Sequence, residues 1–278
     1  MRVFITGCKG QLGQALYTAL TGHTCAGCDL PETDITDRAA ITVAIADFAP
    51  DVVINTAAWT DVDGCARDPD RAYRVNGLGV QNVALACAAN DAALLHVSTN
   101  EVFDGTTTAP YREWDPPHPI NPYARSKAAG EWFARHLLNC FYIARTAWLY
   151  APGGRNFSNP HRIIQLARER GKLRVVTDEV GNPTYALDLA EAIVALIQTG
   201  AYGVYHLVNA GHCSRYAYVR EVLRLGGCED VPVEPISLAD FDRPSTPPRF
   251  APLANTAAAA LGIEFRPWQA ALEAYLEA

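Results

Sequence analysis

Basic residues do not outnumber acidic ones in this chain: 23 Lys and Arg face 30 Asp and Glu, a formal net charge of −7. No basic run and no arginine–aromatic array is present, which argues against a nucleic-acid or anionic-membrane partner. A local cationic pocket for a small anion stays open. No apolar stretch is long enough to cross a bilayer, since the longest such region, residues 83–97, is broken by Asn90-Asp91. Met1-Arg2 leads straight into Val3-Phe4-Ile5 and a glycine loop, without the apolar segment of a signal peptide. A cytoplasmic protein is therefore expected. The 8 cysteines are scattered, and the Cys25-x-x-Cys28 pair has no second Cys or His pair at ligand spacing. Buried free thiols are expected, and no divalent-metal site is evident. Internal repeats and low-complexity linkers are also missing.

What is present is a chain of 278 residues, 49% apolar and 19% charged, enough for a sizeable core in one large domain or one and a half ordinary ones. Short β-branched runs at residues 2–6, 23–29, 52–55, 94–98 and 141–150 alternate with Ala- and Leu-rich helical runs at 11–20, 38–48, 69–89 and 123–138. This alternation, with near-continuous apolar strands, predicts an α/β fold whose parallel sheet is covered on both faces. Further strands are expected at 173–176 and 204–208, a helix at 186–198, and a last helix from Trp268 after a Pro-punctuated segment. The expected division is a dinucleotide-binding domain over 1–150, with segments at about 172–208 returning to it. A smaller, partly interleaved C-terminal lobe would comprise 151–171 and 209–278.

The first strand runs into Thr6-Gly7-Cys8-Lys9-Gly10-Gln11-Leu12-Gly13 and then a helix. The glycines allow a sharp turn, a close backbone approach to a pyrophosphate and tight helix–strand packing. The helix N-terminus then offers free N–H groups to the phosphates. Asp29 closes the second strand, where a carboxylate accepts hydrogen bonds from an adenosine ribose and disfavours a 2′-phosphate. The cofactor is accordingly NADH or NADPH, with NADH favoured and Lys9 softening the preference. Asp34-Ile35 stands where a loop could flank the adenine, or where Asp34 simply caps a helix.

Asn121-Pro122 precedes Tyr123-Ala124-Arg125-Ser126-Lys127. Tyr and Lys at this spacing share one helix face, one turn apart. The pair arises often by chance, so the other residues decide. A neighbouring ammonium and an oxidised nicotinamide would both pull the phenol toward neutrality, allowing proton exchange with a carbonyl oxygen. Thr99 ends a central strand at its carboxyl end, where its hydroxyl could bind the same oxygen.

The TGxxGxxG loop, Asn55-Thr56-Ala57-Ala58, Val75-Asn76, Ser98-Thr99 and Tyr123-x-x-x-Lys127 occur in the order of the extended short-chain dehydrogenase/reductase family, which the whole chain resembles. The likeness is carried also by NTAAWTDVDGCARDPDRAYRVN, STNEVFDG, RTAWLYAPGGRNF, VVTDEVGNPTYALDLA and YHLVNAGHCSRY. The resemblance implies a Rossmann-type doubly wound sheet with a small substrate lobe. It also implies reduction of the 4-keto group of a dTDP-linked 6-deoxyhexose, a small-molecule nucleotide-sugar partner, and a fold compatible with a homodimer. Residue by residue, it implies Thr99, Tyr123 and Lys127 as the catalytic set. Gly7, Gly10, Gln11, Leu12 and Gly13 would lie at the pyrophosphate, and Ala57 and Ala58 along the cofactor. Val62, Trp148, Asn156 and Phe157 would face the sugar nucleotide.

One position departs from the pattern: where the family reads STDYVFDG, this chain has Glu101 in place of the aromatic. A carboxylate there suits a sugar hydroxyl better than a phosphate. Arg243 and Arg249 stand open between gripping a diphosphate and solvation in a loop. Trp148 reads as core without the resemblance, His96 as a satisfied core residue, and Asn76 as a structural hydrogen-bonder near the cofactor. Asp61-x-Asp63 reads as loop capping and solvent exposure. Two rival functions remain: an epimerase or dehydratase that retains its cofactor, and a non-catalytic cofactor-binding subunit.

Overall fold

The computed structural model describes residues 1–154 and 156–278. Strands β1 (Arg2–Thr6), β2 (Thr24–Cys28), β3 (Val52–Asn55), β4 (Ala93–Thr99) and β5 (Phe141–Thr146) form one parallel sheet with a sixth strand, Gly203–His206. The order across the sheet is Gly203–His206, β5, β4, β3, β1, β2. The chain therefore switches direction between β1 and β3, and the carboxyl ends of the strands diverge there into a crevice.

Helices α1 (Gln11–Ala19), α2 (Arg38–Phe48), α3 (Val62–Arg67), α4 (Pro69–Tyr73), α5 (Gly79–Ala89), α6 (Pro122–Leu137), α7 (Pro160–Arg170) and α8 (Ala186–Thr199) follow in chain order. Alternate strand residues feed two cores. Ile5, Ile54 and Leu95 pack with Leu16 of α1 and Ile193 of α8. Phe4, Val53 and Leu94 pack with Ile41, Val83 and Ala134 on the opposite face. Both faces of the sheet are thus covered, as near-continuous apolar strands require. Asn121 caps α6 by accepting a hydrogen bond from Ala124 N at 2.8 Å, with Pro122 in the first helical position.

Four expectations need correction. The helix expected over 69–89 is α4, a π-helical turn Arg74–Leu78 and α5. The strand expected over 141–150 stops at Thr146, Trp148 takes φ 41°, and Leu149–Tyr150 pairs with Thr184–Tyr185 in a separate ribbon. The segment expected to return at 172–208 does so only from α8 onward. Leu173–Val176 instead pairs with Val233–Ile236, beside a third core containing Ile163, Val219 and Leu272. Finally, the free cysteines are not all buried: Cys28, Cys65, Cys87 and Cys228 are, but Cys140 is exposed.

His96 is buried, with Nδ1 3.0 Å from Asn55 Nδ2, while Thr6 Oγ1 donates to Asn55 Oδ1. Its Nε2 has no partner among the described residues, so the expectation of a fully satisfied core histidine is half met. No helix among the described residues is long and apolar enough to cross a membrane. Because Leu95 lies fully buried at the centre of the sheet, Leu95→Ala should lower unfolding free energy by about 2–5 kcal/mol. Urea denaturation measures it, and a loss below about 1 kcal/mol would contradict this packing.

Candidate active site

The glycine loop takes its shape from close approaches that only a missing side chain permits. Gly7 has φ +73°, and a Cβ there would meet Ala57 N at 2.7 Å. A Cβ on Gly13 would meet Gly7 O at 2.5 Å. Gly10, Gln11 and Leu12 line a crevice of about 1170 Å³, and no side chain among the described residues caps α1. Its first N–H groups are therefore available to an anion, so this cradle fits a dinucleotide pyrophosphate.

At the edge of the cradle, Asp29 accepts hydrogen bonds from Lys9 N at 2.8 Å and Leu30 N at 2.7 Å. The Lys9 ammonium is drawn aside to Glu32. Asp34 closes its own turn by accepting from Thr36 N at 2.8 Å, and Asp37 is the residue that caps α2. Ile35 lies in the apolar core with Phe4 and Ile41, not along the crevice. Ala58 lines the crevice, whereas Ala57 sits behind it against Gly7.

The reaction end is built by β4 and α6. Thr99 ends β4, and Tyr123 and Lys127 enter from the first two turns of α6. Tyr123 is 8% and Lys127 3% exposed, and all three residues line the crevice. The Lys127 ammonium donates to Val97 O at 2.7 Å, not to the phenol. The phenol stands near the Thr99 hydroxyl, which counts among the groups acting on it. Burial brings the lysine down to about 8, with Glu131 opposing that fall. Burial raises Tyr123 well above the ordinary phenol value; the Glu101 charge adds to the rise and the Thr99 hydroxyl opposes it. The expectation of a phenol pulled toward neutrality thus does not hold for the protein's own groups. Desolvation of the phenolate outweighs a cation that points elsewhere. A tyrosine that keeps its proton at neutral pH is suited to giving it to a carbonyl oxygen as that oxygen gains charge.

Glu101 follows directly on the turn after β4. Its Oε2 accepts from Asn121 Nδ2 at 2.8 Å. The residue keeps part of its surface open to the crevice, yet the protein around the carboxyl lifts it to about 7, burial being the largest cause. Asn121, Arg243 and Arg215 hold it down, and Glu179 pushes it up.

The far wall brings in residues that sequence reasoning did not single out. Arg215 stacks 3.6 Å over the Trp148 ring, donates to Glu179 Oε1 at 2.9 Å and to Ser158 Oγ at 2.9 Å. Arg215 and Glu179 both fall in stretches that carry the family resemblance, which was the signal available. Val62, Trp148, Asn156 and Phe157 line the same wall. The two open arginines separate: Arg243 lines the crevice and pairs with Asp63 at 3.0 Å, while Arg249 is exposed outside it. The expectation of Arg249 at the substrate is corrected accordingly. Asp61 caps α3 by accepting from Gly64 N at 2.9 Å. Asn76 is buried and braces the Trp59 loop against α6, bonding Trp59 O and Ser126 Oγ at 3.0 Å each.

The family described as RmlD substrate binding domain matches residues 1–278. The chain is 40% identical to a dTDP-4-dehydrorhamnose reductase of Mycobacterium tuberculosis (strain CDC 1551 / Oshkosh), over 100% of this chain and 93% of that one. It is 36% identical to a dTDP-4-keto-6-deoxy-D-glucose reductase of Streptomyces niveus, over 98% and 95%. Among solved structures, it is similar to the dTDP-4-dehydrorhamnose reductase of Bacillus anthracis in complex with NADP. That match has a TM-score of 0.95 and 35% identity, over 99% of this chain and 98% of that one.

Tyr123→Phe removes the proton but keeps the ring. Ketone reduction should fall by about 10²–10⁴-fold, with cofactor affinity, read by nicotinamide fluorescence titration, unchanged. Undiminished turnover would remove Tyr123 from the chemistry.

Proposed function

We propose a reaction for this protein from one premise: the chain belongs to the RmlD substrate binding domain family. It is an oxidoreductase that uses NADH or NADPH to reduce the 4-keto group of a dTDP-linked 6-deoxyhexose, dTDP-4-dehydrorhamnose or a close relative. The observation that carries this reading is the meeting of Thr99, Tyr123 and Lys127 at the mouth of a glycine cradle, inside one crevice.

Gln11 and Leu12, at the start of α1, would hold the cofactor's pyrophosphate through backbone N–H groups, with Gly10 leaving room beside them. NADH or NADPH, when bound, would supply hydride to the ketone carbon. Thr99 and Tyr123 donate hydrogen bonds to the ketone oxygen, and Tyr123 gives up its proton as charge develops there. Lys127, charged below about pH 8, would hold the nicotinamide ribose of a bound cofactor. Arg215 and Arg243 place cationic groups on the lobe side of the crevice, suited to a nucleotide diphosphate. Glu101, two residues from Thr99, accepts a sugar hydroxyl.

A panel of nucleotide-linked 4-keto sugars, followed by reduced-nicotinamide absorbance, tests the reading. One cofactor should be consumed for each ketone lost. Sugar turnover with constant absorbance would indicate the retained cofactor of an epimerase, and no turnover with any sugar would indicate a non-catalytic subunit. Assayed at about pH 8, where the Glu101 carboxyl is mostly ionised, Glu101→Gln should raise the sugar nucleotide's KM by about tenfold, the worth of one charge-assisted hydrogen bond, and leave the cofactor's KM in place. An unchanged sugar KM would place Glu101 outside substrate contact.

A further inference from the structure

A buried ion pair lies below the crevice and has no part in the chemistry above. Glu131 is 3% and Arg145 0% exposed. The guanidinium grips both carboxylate oxygens, Nε to Oε1 at 2.9 Å and Nη2 to Oε2 at 2.7 Å, the fork geometry of a strong pair. Ser98 Oγ donates to the same Oε1 at 2.6 Å. Ser98 and Arg145 are cross-strand partners on β4 and β5, so a single carboxylate ties α6 to two adjacent strands.

The spacing along α6 gives this clamp its meaning. Tyr123, Lys127 and Glu131 stand at i, i+4 and i+8 on one helix face. Lys127 donates to the Val97 carbonyl and Glu131 accepts from the Ser98 hydroxyl, while Tyr123 stands near the Thr99 hydroxyl. Two consecutive residues of β4 are thereby fixed by two successive turns of α6. Buried ion pairs seldom add net stability over apolar residues of the same volume, so stability is a poor account of this one.

We propose that Glu131 is a positioning residue for the ketone reduction: its carboxylate holds Ser98, and through that strand end it places the Val97 carbonyl that takes the Lys127 ammonium and the Thr99 hydroxyl next in the chain. This rests on the reductase reading given above. The other charged groups around the two residues are few. His96 and Tyr123 flank Lys127 and are read as uncharged, His96 being held well below its usual value by burial and the lysine. Arg135 Nη2 is 3.6 Å from Glu131 Oε2. His206 lies 3.5 Å from Arg145 Nη1 and is held to about 3 by burial and the guanidinium, so it stays neutral. Behind it, Glu113 accepts from His206 N at 3.3 Å. Glu131 is the group that offsets the lysine's burial. Without its charge the ammonium becomes less favourable and Lys127 loses its proton at lower pH.

Glu131→Gln keeps the volume and an acceptor for Ser98 but removes the charge. Two readouts across the neutral and alkaline range test it: kcat against pH, and the NMR titration of the Lys127 ε-carbon, assigned with Lys127→Arg. In the parent both should turn near pH 8. In the variant both should move acidward by about one pH unit, with neutral-pH kcat lowered and the sugar's KM unchanged. Because the single variant leaves Arg145 buried without a counter-charge, the pair Glu131→Gln with Arg145→Met is measured alongside. It should fold as the parent does and still show the titration moved acidward, by less than in the single variant because the guanidinium's opposing charge is gone as well. Glu131→Asp, which keeps the charge, should restore the parent midpoint. An unmoved lysine titration in the double variant overturns the proposal. Absence of sugar reduction by the parent would instead overturn the reductase reading, and the NMR titration would still report on Glu131.

Discussion

The close approach of α6 to β4 is the constraint from which the site follows. A Cβ on Gly130 would lie 2.6 Å from Asn76 O and 3.0 Å from His96 Nε2, so the helix settles where only a glycine fits. That depth buries Tyr123, Lys127 and Glu131 together and sets each against β4. Burial at this depth requires that polar groups find partners, and nearly all do. The lysine finds a carbonyl and the glutamate a guanidinium and a serine hydroxyl. The site is a by-product of a packing problem solved with hydrogen bonds.

Desolvation is the leading cause of every large shift in the reaction crevice. It raises Tyr123, raises Glu101 to about 7 and lowers Lys127 to about 8. Individual charges only modify these displacements. The outcome favours one direction of chemistry: a phenol that retains its proton, near a lysine still charged at neutral pH. Both properties serve an oxygen that is becoming negative. An alcohol oxidation would need the phenolate, which burial and Glu101 both disfavour.

Local patterns were the legible part of the chain. The glycine loop, the presence of five strands along the first half of the chain and the Tyr123–Lys127 spacing are all patterns of neighbouring residues, and the structure contains them. What depends on distant parts of the chain was not legible. Ile35 reads as a loop residue beside a cofactor, yet packing against Gly79 takes it into the core. Arg243 and Arg249 look alike in a Pro-rich segment, and only Asp63, far away in sequence, selects the one that faces the crevice. The break at Trp148 depends on Gly181 admitting the indole, since a Cβ there would lie 2.7 Å from the ring. Glu131 likewise looks like an ordinary helix residue until β4 and β5 bring Ser98 and Arg145 to it.

The central claim is that cofactor hydride and the Tyr123 proton converge on one carbonyl. The most direct measurement supplies reduced cofactor deuterated at the transferable position, with dTDP-4-dehydrorhamnose as substrate, and locates the label in the product by NMR and mass spectrometry. The account requires one deuterium bonded to carbon 4 of the sugar and equimolar oxidised cofactor. Product formed without label, or label remaining on the nicotinamide while the sugar is converted, would contradict it.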